Sequence, residues 1–251
     1  MQITPNKKIY FASDQHFGAP TPELSFPREQ KFVAWLDEVK EDAEAIFLLG
    51  DLFDFWFEYK TVVPKGFVRV LGKLAEIRDS GIPIYFFVGN HDLWMNDYFE
   101  KELNIPVYHD NQEYTFNEKT FLIGHGDGKG PGDLGYKRMK KVFTNPFSKW
   151  LYRWLHPDIG MKLGQYLSTK NKLISGDADV KFLGEENEWL VSYSKRKLET
   201  KHYHYFVFGH RHLPMKLSVG ENSEYVNLGD WIDYFTYGVF DGETLELKKY
   251  E

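Results

Sequence analysis

Residues 205–212 read Tyr-Phe-Val-Phe-Gly-His-Arg-His, four apolar residues that run through a glycine into two imidazoles. The pattern recurs along the chain. LLGD closes on Gly50-Asp51, FFVGNHD on Gly89-Asn90-His91-Asp92, and FLIGHGD on Gly124-His125-Gly126-Asp127, while the first apolar run gives way to Asp14-Gln15-His16. Short runs rich in aromatic and β-branched residues have the length of strands. Residues 9–12, 45–49, 82–88, 120–123, 203–208 and 225–228 read this way, most of them too apolar for one-sided surface strands.

Between the early runs lie helical faces, with Phe32, Leu36 and Val39 on one and Val70, Leu74 and Ile77 on another. Alternating strand and helix predicts an α/β sheet covered by helices. The chain's end differs: residues 237–240, the Asp241-Gly242 turn and residues 244–247 read as a hairpin, which predicts a second, partly antiparallel sheet. Residues 136–172 interrupt the order with a helical insertion. Asn145 before Pro146 suits an N-cap and first helical position after a break near Phe143, and Asp158 after His156-Pro157 is placed to cap another short helix. No internal repeat, low-complexity tract or separating linker is visible, so one domain is expected.

Composition limits what those strand ends can do. The chain has 251 residues, a net charge of −6 and no cysteine. The charge gives no reason to expect nucleic acid as a partner. Without thiols, any metal must be held by His, Asp, Glu or Asn. The N-terminus enters a strand pattern directly, and no apolar run reaches the ~18 residues of a membrane span, so a soluble, cytoplasmic protein is expected. The aromatic share of 18% is more than a core of this size needs, which points to aromatic surface kept for a ligand.

In open α/β sheets ligands bind outside the carboxyl ends of the strands, where several loops converge. Glycine lets the backbone turn sharply at that edge, and the next residue can face the shared crevice. Asp, Asn and neutral His there suit a pair of divalent cations such as manganese, iron or zinc better than calcium. Asp51 is the natural carboxylate to lie between the two. Each fragment alone is a common turn, but five segments at the same end of predicted strands are not independent turns. His202 and His204 form a second H-x-H pair at the opposite end of their strand and are expected to be structural, as are His109 and His156, which lack a partner motif.

Taken in order, D-x-H (Asp14, His16), G-D-x-x-D (Gly50, Asp51, Asp54), G-N-H-D (Asn90, His91, Asp92), G-H-G-D (His125, Asp127) and G-H-R-H (His210, His212) resemble the calcineurin-like metallophosphoesterases. The resemblance implies a four-layer α/β/β/α sandwich over residues 1–251, with residues 133–200 as a helical lid insertion. It implies one cation on Asp14, His16, Asp51 and His212 and another on Asp51, Asn90, His125 and His210, with manganese expected and iron or zinc as alternatives. His210 and His212 thus serve different ions, and Arg211 between them should point elsewhere.

Within that superfamily GDLFDFW, HGDGKGPGDLGY and VNLGDW are most similar to the UDP-2,3-diacylglucosamine pyrophosphohydrolases of lipid A synthesis. That similarity implies hydrolysis to UMP and 2,3-diacylglucosamine 1-phosphate, a lid that holds the acyl chains, catalytic roles for Asn90 and His91, and substrate contacts from Asn90, His91, Asp133, Ser168, Lys172 and His210. His91 departs from that subfamily, where arginine is common, and keeps the general phosphoesterase form.

The insertion supports the lipid reading independently. Residues 136–172 carry Lys137, Arg138, Lys140, Lys141, Lys149, Arg153, Lys162, Lys170 and Lys172 against Asp158, interleaved with Tyr136, Phe143, Phe147, Trp150, Tyr152, Trp154 and Tyr166. Basic and aromatic residues on short amphipathic helices suit an anionic nucleotide-linked glycolipid and peripheral contact with the inner face of the cytoplasmic membrane. No obligate protein partner is evident. The rival readings are a phosphodiesterase or phosphatase of soluble nucleotides and, from another class, a non-catalytic scaffold on the same fold.

Overall fold

The structure, a computed structural model, describes residues 1–130, 134–175, 182 and 184–251, without the side chains of 134 and 169–175. Its elements in chain order are β1 (Lys8–Ala12), α1 (Pro22–Val39), β2 (Ala43–Leu48), α2 (Val68–Asp79), β3 (Ile84–Phe87), α3 (Tyr98–Glu102), β4 (Val107–Tyr108), β5 (Gln112–Phe116) and β6 (Lys119–Ile123). There follow α4 (Leu134–Thr144), α5 (Pro146–Arg153), α6 (Pro157–Ser175), α7 (Trp189–Leu198), β7 (Tyr205–Phe208), β8 (Pro214–Gly220), β9 (Ser223–Leu228), β10 (Thr236–Phe240) and β11 (Leu245–Lys249).

Two sheets form, in the orders β11-β10-β1-β2-β3-β4 and β5-β6-β7-β9-β8. Strands β1 to β4 are parallel, as are β6, β7 and β9, and the antiparallel members lie towards the edges. The terminal hairpin therefore extends the first sheet through β10 beside β1, and does not found the second as the sequence suggested. Residue alternation identifies a hairpin but carries no information about which edge it joins.

The layers follow from the period of two along each strand. Ile9 and Phe11 of β1, with Ala45 and Phe47 of β2, pack between the sheets against Phe121, Val207 and Val226. Their neighbours Tyr10, Ala12, Ile46 and Leu48 face the other way, onto Phe32, Trp35 and Leu36 of α1 and Val70, Leu74 and Ile77 of α2. On the far side Phe206 and Phe208 meet Leu190 and Val191 of α7. Helix, sheet, sheet and helix stack in that order.

Helices α4 to α6 lie across the carboxyl edge. Asn145 caps α5 as expected, its side chain accepting from the Phe147 N–H at 2.8 Å ahead of Pro146. The expectation for Asp158 fails: α6 begins at Pro157 and runs 19 residues, and the His156 ring accepts the Asp158 N–H at 3.3 Å. Trp94 donates to the Phe143 carbonyl at 2.6 Å, and Tyr152 packs on Phe57 and Trp94. Gly160 and Gly164 let α6 settle closely, since a Cβ on either would come within 2.1 Å of the Tyr59 hydroxyl or the Phe55 ring.

Candidate metal centre

The strand-end segments interlock. Asp14 N–H donates to the Gly50 carbonyl (3.1 Å), His16 N–H to that of Asp51 (2.9 Å), and Gly209 N–H to that of His125 (3.0 Å). His91 N–H donates to Asp51 Oδ1 at 2.8 Å and His210 N–H to Asp14 Oδ2 at 2.9 Å. Such close stacking leaves no room for a side chain at the glycines. A Cβ at Gly89 would stand 2.2 Å from Asp51 Oδ1, and one at Gly209 would stand 2.0 Å from Ser13 Oγ. Asp14, His16, Asp51, His210 and His212 all sit at positive φ, between 46° and 70°. Each such residue carries about 1–2 kcal/mol of steric cost, tolerated where the surroundings over-determine the backbone.

These backbones bring the predicted donors into adjoining groups. Ligand atoms of Asp14, His16 and His212 lie within 4.8 Å of one another, and so do those of Asp51, His125 and His210. Asp51 stands between the groups, with Oδ2 3.6 Å from His16 Nε2 and 3.4 Å from His125 Nε2. Asn90 Oδ1 is 3.1 Å from His125 Nε2. His16 Nε2 faces His212 Nε2 at 3.3 Å.

The outer partners fix which nitrogen carries the proton. His125 Nδ1 donates to the Leu49 carbonyl at 2.7 Å, His212 Nδ1 to Asp230 Oδ2 at 3.1 Å and His16 Nδ1 to Asp54 Oδ1 at 3.3 Å. Three Nε2 atoms are thereby turned inward, the nitrogens that would give their lone pairs to a bound cation once the rings are neutral. Asp14 Oδ1 is buried among them with no hydrogen bond. An orphaned carboxylate oxygen facing imidazole lone pairs fits divalent cations, and the two adjoining groups fit a dinuclear site.

The electrostatics show how strongly the carboxylates draw positive charge into this site, with His125 holding a proton that a bound cation would displace. Burial pushes the Asp51 carboxyl up, but His125 and His91 outweigh it and hold it well below the usual carboxylate range. Burial would lower His125, but Asp51 beside it raises it to about 10. His210, buried and repelled by His125, falls to about 4 and stays neutral at pH 7. The carboxylates hold more negative charge than the interior tolerates alone. Asp92 bears the consequence: burial, then the Asp51 charge, raise it to about 8, while it accepts from the Gly89 and Leu52 N–H groups at 2.6 and 3.0 Å.

Several supporting residues had no assigned role in the sequence. Arg211 indeed points away from the cluster, into a buried bidentate pair with Glu188 at the start of α7: Nε donates to Oε2 at 3.0 Å and an η-nitrogen to Oε1 at 2.9 Å. Asp127 anchors α4 by accepting from the Tyr136 hydroxyl and Lys140. Asp54 braces His16, and its backbone carbonyl lies 2.9 Å from His91 Nδ1. Ser168 is buried against Asp54 and His91. Asp133 and the Lys172 side chain lie outside the described residues. His204 accepts the Thr120 N–H at 3.1 Å, the structural part expected for that pair.

Among known proteins, the UDP-2,3-diacylglucosamine hydrolase of Porphyromonas gingivalis is 38% identical over 97% of this chain and 98% of its own. That of Actinobacillus succinogenes is 26% identical over 89% of this chain and 92% of its own. Among solved structures, the phosphoesterase Yfce from E. coli matches at a TM-score of 0.48 and 16% identity, over 96% of this chain and 92% of its own. The pattern of the calcineurin-like phosphoesterases matches residues 7–214, the stretch that contains every predicted cation ligand. With 38% identity to a relative over nearly the whole of both chains, the sequence belongs to the calcineurin-like phosphoesterase family.

Proposed function

We propose that the protein hydrolyses the pyrophosphate of UDP-2,3-diacylglucosamine, releasing UMP and 2,3-diacylglucosamine 1-phosphate. Asp14, His16, Asp51 and His212 would hold one cation and Asp51, Asn90, His125 and His210 the other. The mixed oxygen and imidazole donors suit manganese, with iron and zinc the alternatives. When bound, such a pair supplies an activated water and neutralises charge on phosphoryl oxygens. His91, beside Asp51 at the rim of the cluster, serves the leaving phosphate as cation or proton donor, and Asn90 and His210 stand where they also contact substrate oxygens. Asp133, Ser168 and Lys172 belong to the proposed substrate-contacting segment.

The observation that carries the lipid assignment is the apolar surface of the helices over that cluster. Phe147, Trp150 and Leu151 of α5 and Trp154 just after it are exposed on the face opposite Tyr152, and Ile159, Leu163, Tyr166 and Leu167 of α6 are exposed as well. So much apolar area on helices that also carry Lys149, Arg153 and Lys162 suits a lid over acyl chains and peripheral contact with an anionic membrane face. No helix among the described residues is long and apolar enough to cross a membrane. Both named relatives support this substrate through the compound in their names.

The test is turnover of UDP-2,3-diacylglucosamine beside bis-p-nitrophenyl phosphate and nucleoside diphosphates, with the protein manganese-loaded. The lipid should be preferred by kcat/KM; equal or faster turnover of the soluble compounds would overturn the assignment. A loaded protein that hydrolyses none of them, with Asp51→Ala leaving metal content unchanged, would favour the scaffold reading.

A further inference from the structure

Ser168 is carried by α6, whose flanking residues Tyr166 and Leu167 are exposed, yet the serine itself is 7% exposed. Gly160, Gly164 and Ser168 share one helical face, spaced by four. Gly160 lies on Tyr59 and Gly164 on Phe55, so the helix descends along the loop after β2 and sets Ser168 on Asp54. The small residues above it hold α6 near enough for a short side chain to reach the cluster.

The proton positions there are constrained. Ser168 Oγ lies 2.9 Å from Asp54 Oδ2, 3.1 Å from the Asp54 carbonyl and 2.9 Å from His91 Nδ1. The same Nδ1 lies 2.9 Å from the Asp54 carbonyl. A carboxylate only accepts, so the hydroxyl proton goes to Asp54 Oδ2, the strongest acceptor within reach. The hydroxyl lone pairs and the carbonyl then both face Nδ1, which must carry a proton. His91 Nε2 is left to face outward from this contact, with the ring edge-on to His16 at a centroid distance of 4.6 Å and 83°.

We propose that Ser168 is a positioning residue for His91: its hydroxyl, brought by α6 and oriented by Asp54, fixes the ring so that Nε2 meets the leaving group only while α6 is seated. The inference rests on the role given to His91 above and adds a residue from another element. It gives the lid a part in catalysis as well as in holding acyl chains. A substrate that binds along the apolar face of α6 also presses Ser168 onto His91, so binding completes the catalytic arrangement.

The experiment compares Ser168→Ala, Ser168→Thr and Ser168→Cys in the manganese-loaded full chain on UDP-2,3-diacylglucosamine. Ser168→Ala should lower kcat about tenfold, a fraction of the range usual for a whole acid–base group, whatever its substrate contact adds to KM. Ser168→Thr keeps the hydroxyl and should restore most of the rate. Ser168→Cys keeps the volume but hydrogen-bonds weakly, so it should behave as Ser168→Ala even if the alanine variant disturbs α6. In a His91→Ala background, Ser168→Ala should cost nothing more. A rise in KM with kcat unchanged, or full additivity with His91→Ala, would leave Ser168 a substrate contact alone and overturn the inference.

A second readout does not depend on the substrate. In ¹⁵N spectra the His91 Nδ1 signal, identified by its loss in His91→Gln, should shift in Ser168→Ala and return in Ser168→Thr. An unmoved signal overturns the inference. If the wild type fails to turn over the lipid, the proposed substrate falls while these spectra still decide the role of Ser168.

Discussion

Arg211 lies between two histidines of opposite groups, and replacing it with methionine tests what holds their turn. His210 and His212 sit at φ 70° and 50°. At about 1–2 kcal/mol each, this backbone relaxes unless something restrains it. Arg211 is 2% exposed and Glu188 0%, and two hydrogen bonds join them. Removing one partner of a buried pair costs about 3–5 kcal/mol, because the other charge stays in the interior without that opposite charge beside it. Arg211→Met should therefore lower metal-free stability by about 3–5 kcal/mol in urea unfolding. It should also weaken metal binding about 10–100-fold, the usual effect of losing support around ligands. Adding Glu188→Leu should recover much of the stability, since an apolar pair of similar volume is near neutral, but not the metal affinity. A loss below about 1 kcal/mol with unchanged metal affinity would refute the restraint, as would further destabilisation by Glu188→Leu.

Gly209→Ala would drive a methyl to within 2.4 Å of Asp14 Oδ2, so the purified protein should carry fewer than two metals per chain by elemental analysis; full occupancy would contradict the packing described. Chelation should lower the thermal midpoint, and restoring manganese to about 100 times its dissociation constant should return about 2.7 kcal/mol per site; a midpoint indifferent to metal would contradict the dinuclear reading. Asp42 accepts from Lys8 Nζ and the Tyr10 hydroxyl, both at 2.6 Å; burial raises its carboxyl, but these bonds outweigh it and hold it below the ordinary 3.8. A depressed carboxyl stabilises the fold above its unfolded value and loses that contribution as pH falls through its folded value. Asp42→Asn should therefore cost about 1 kcal/mol at neutral pH, with the gap to wild type closing in acid; a constant gap from pH 7 to 2 would refute this.

The strands that place the centre were legible because both their faces are buried, which writes them as unbroken apolar runs ending at Gly-Asp, Gly-Asn or Gly-His. Apart from the terminal hairpin, edge strands were not. Gln112–Phe116 is half exposed, and Pro214–Gly220 begins with a residue that lacks an N–H to give a ladder, so neither announces itself by composition. The residues that cluster there were readable one strand end at a time, since each lies within a few residues of its run. Their supports were not, because they come from distant segments: Asp230 lies 18 residues from His212, Glu188 23 from Arg211, and Ser168 77 from His91. Only packing brings such pairs together.

The five donors at positive φ say what kind of object this centre is. Their directions come from the main chain, set by loops that leave parallel strands and stack on one another. Transplanting the same Asp, Asn and His residues onto a helical bundle would reproduce the donor list but not the directions, because a helix offers only right-handed backbone. The portable unit is the set of loop ends together with the sheet edges that hold them, and a design that copies the side chains alone should bind metal weakly and not reproduce the adjoining groups seen here.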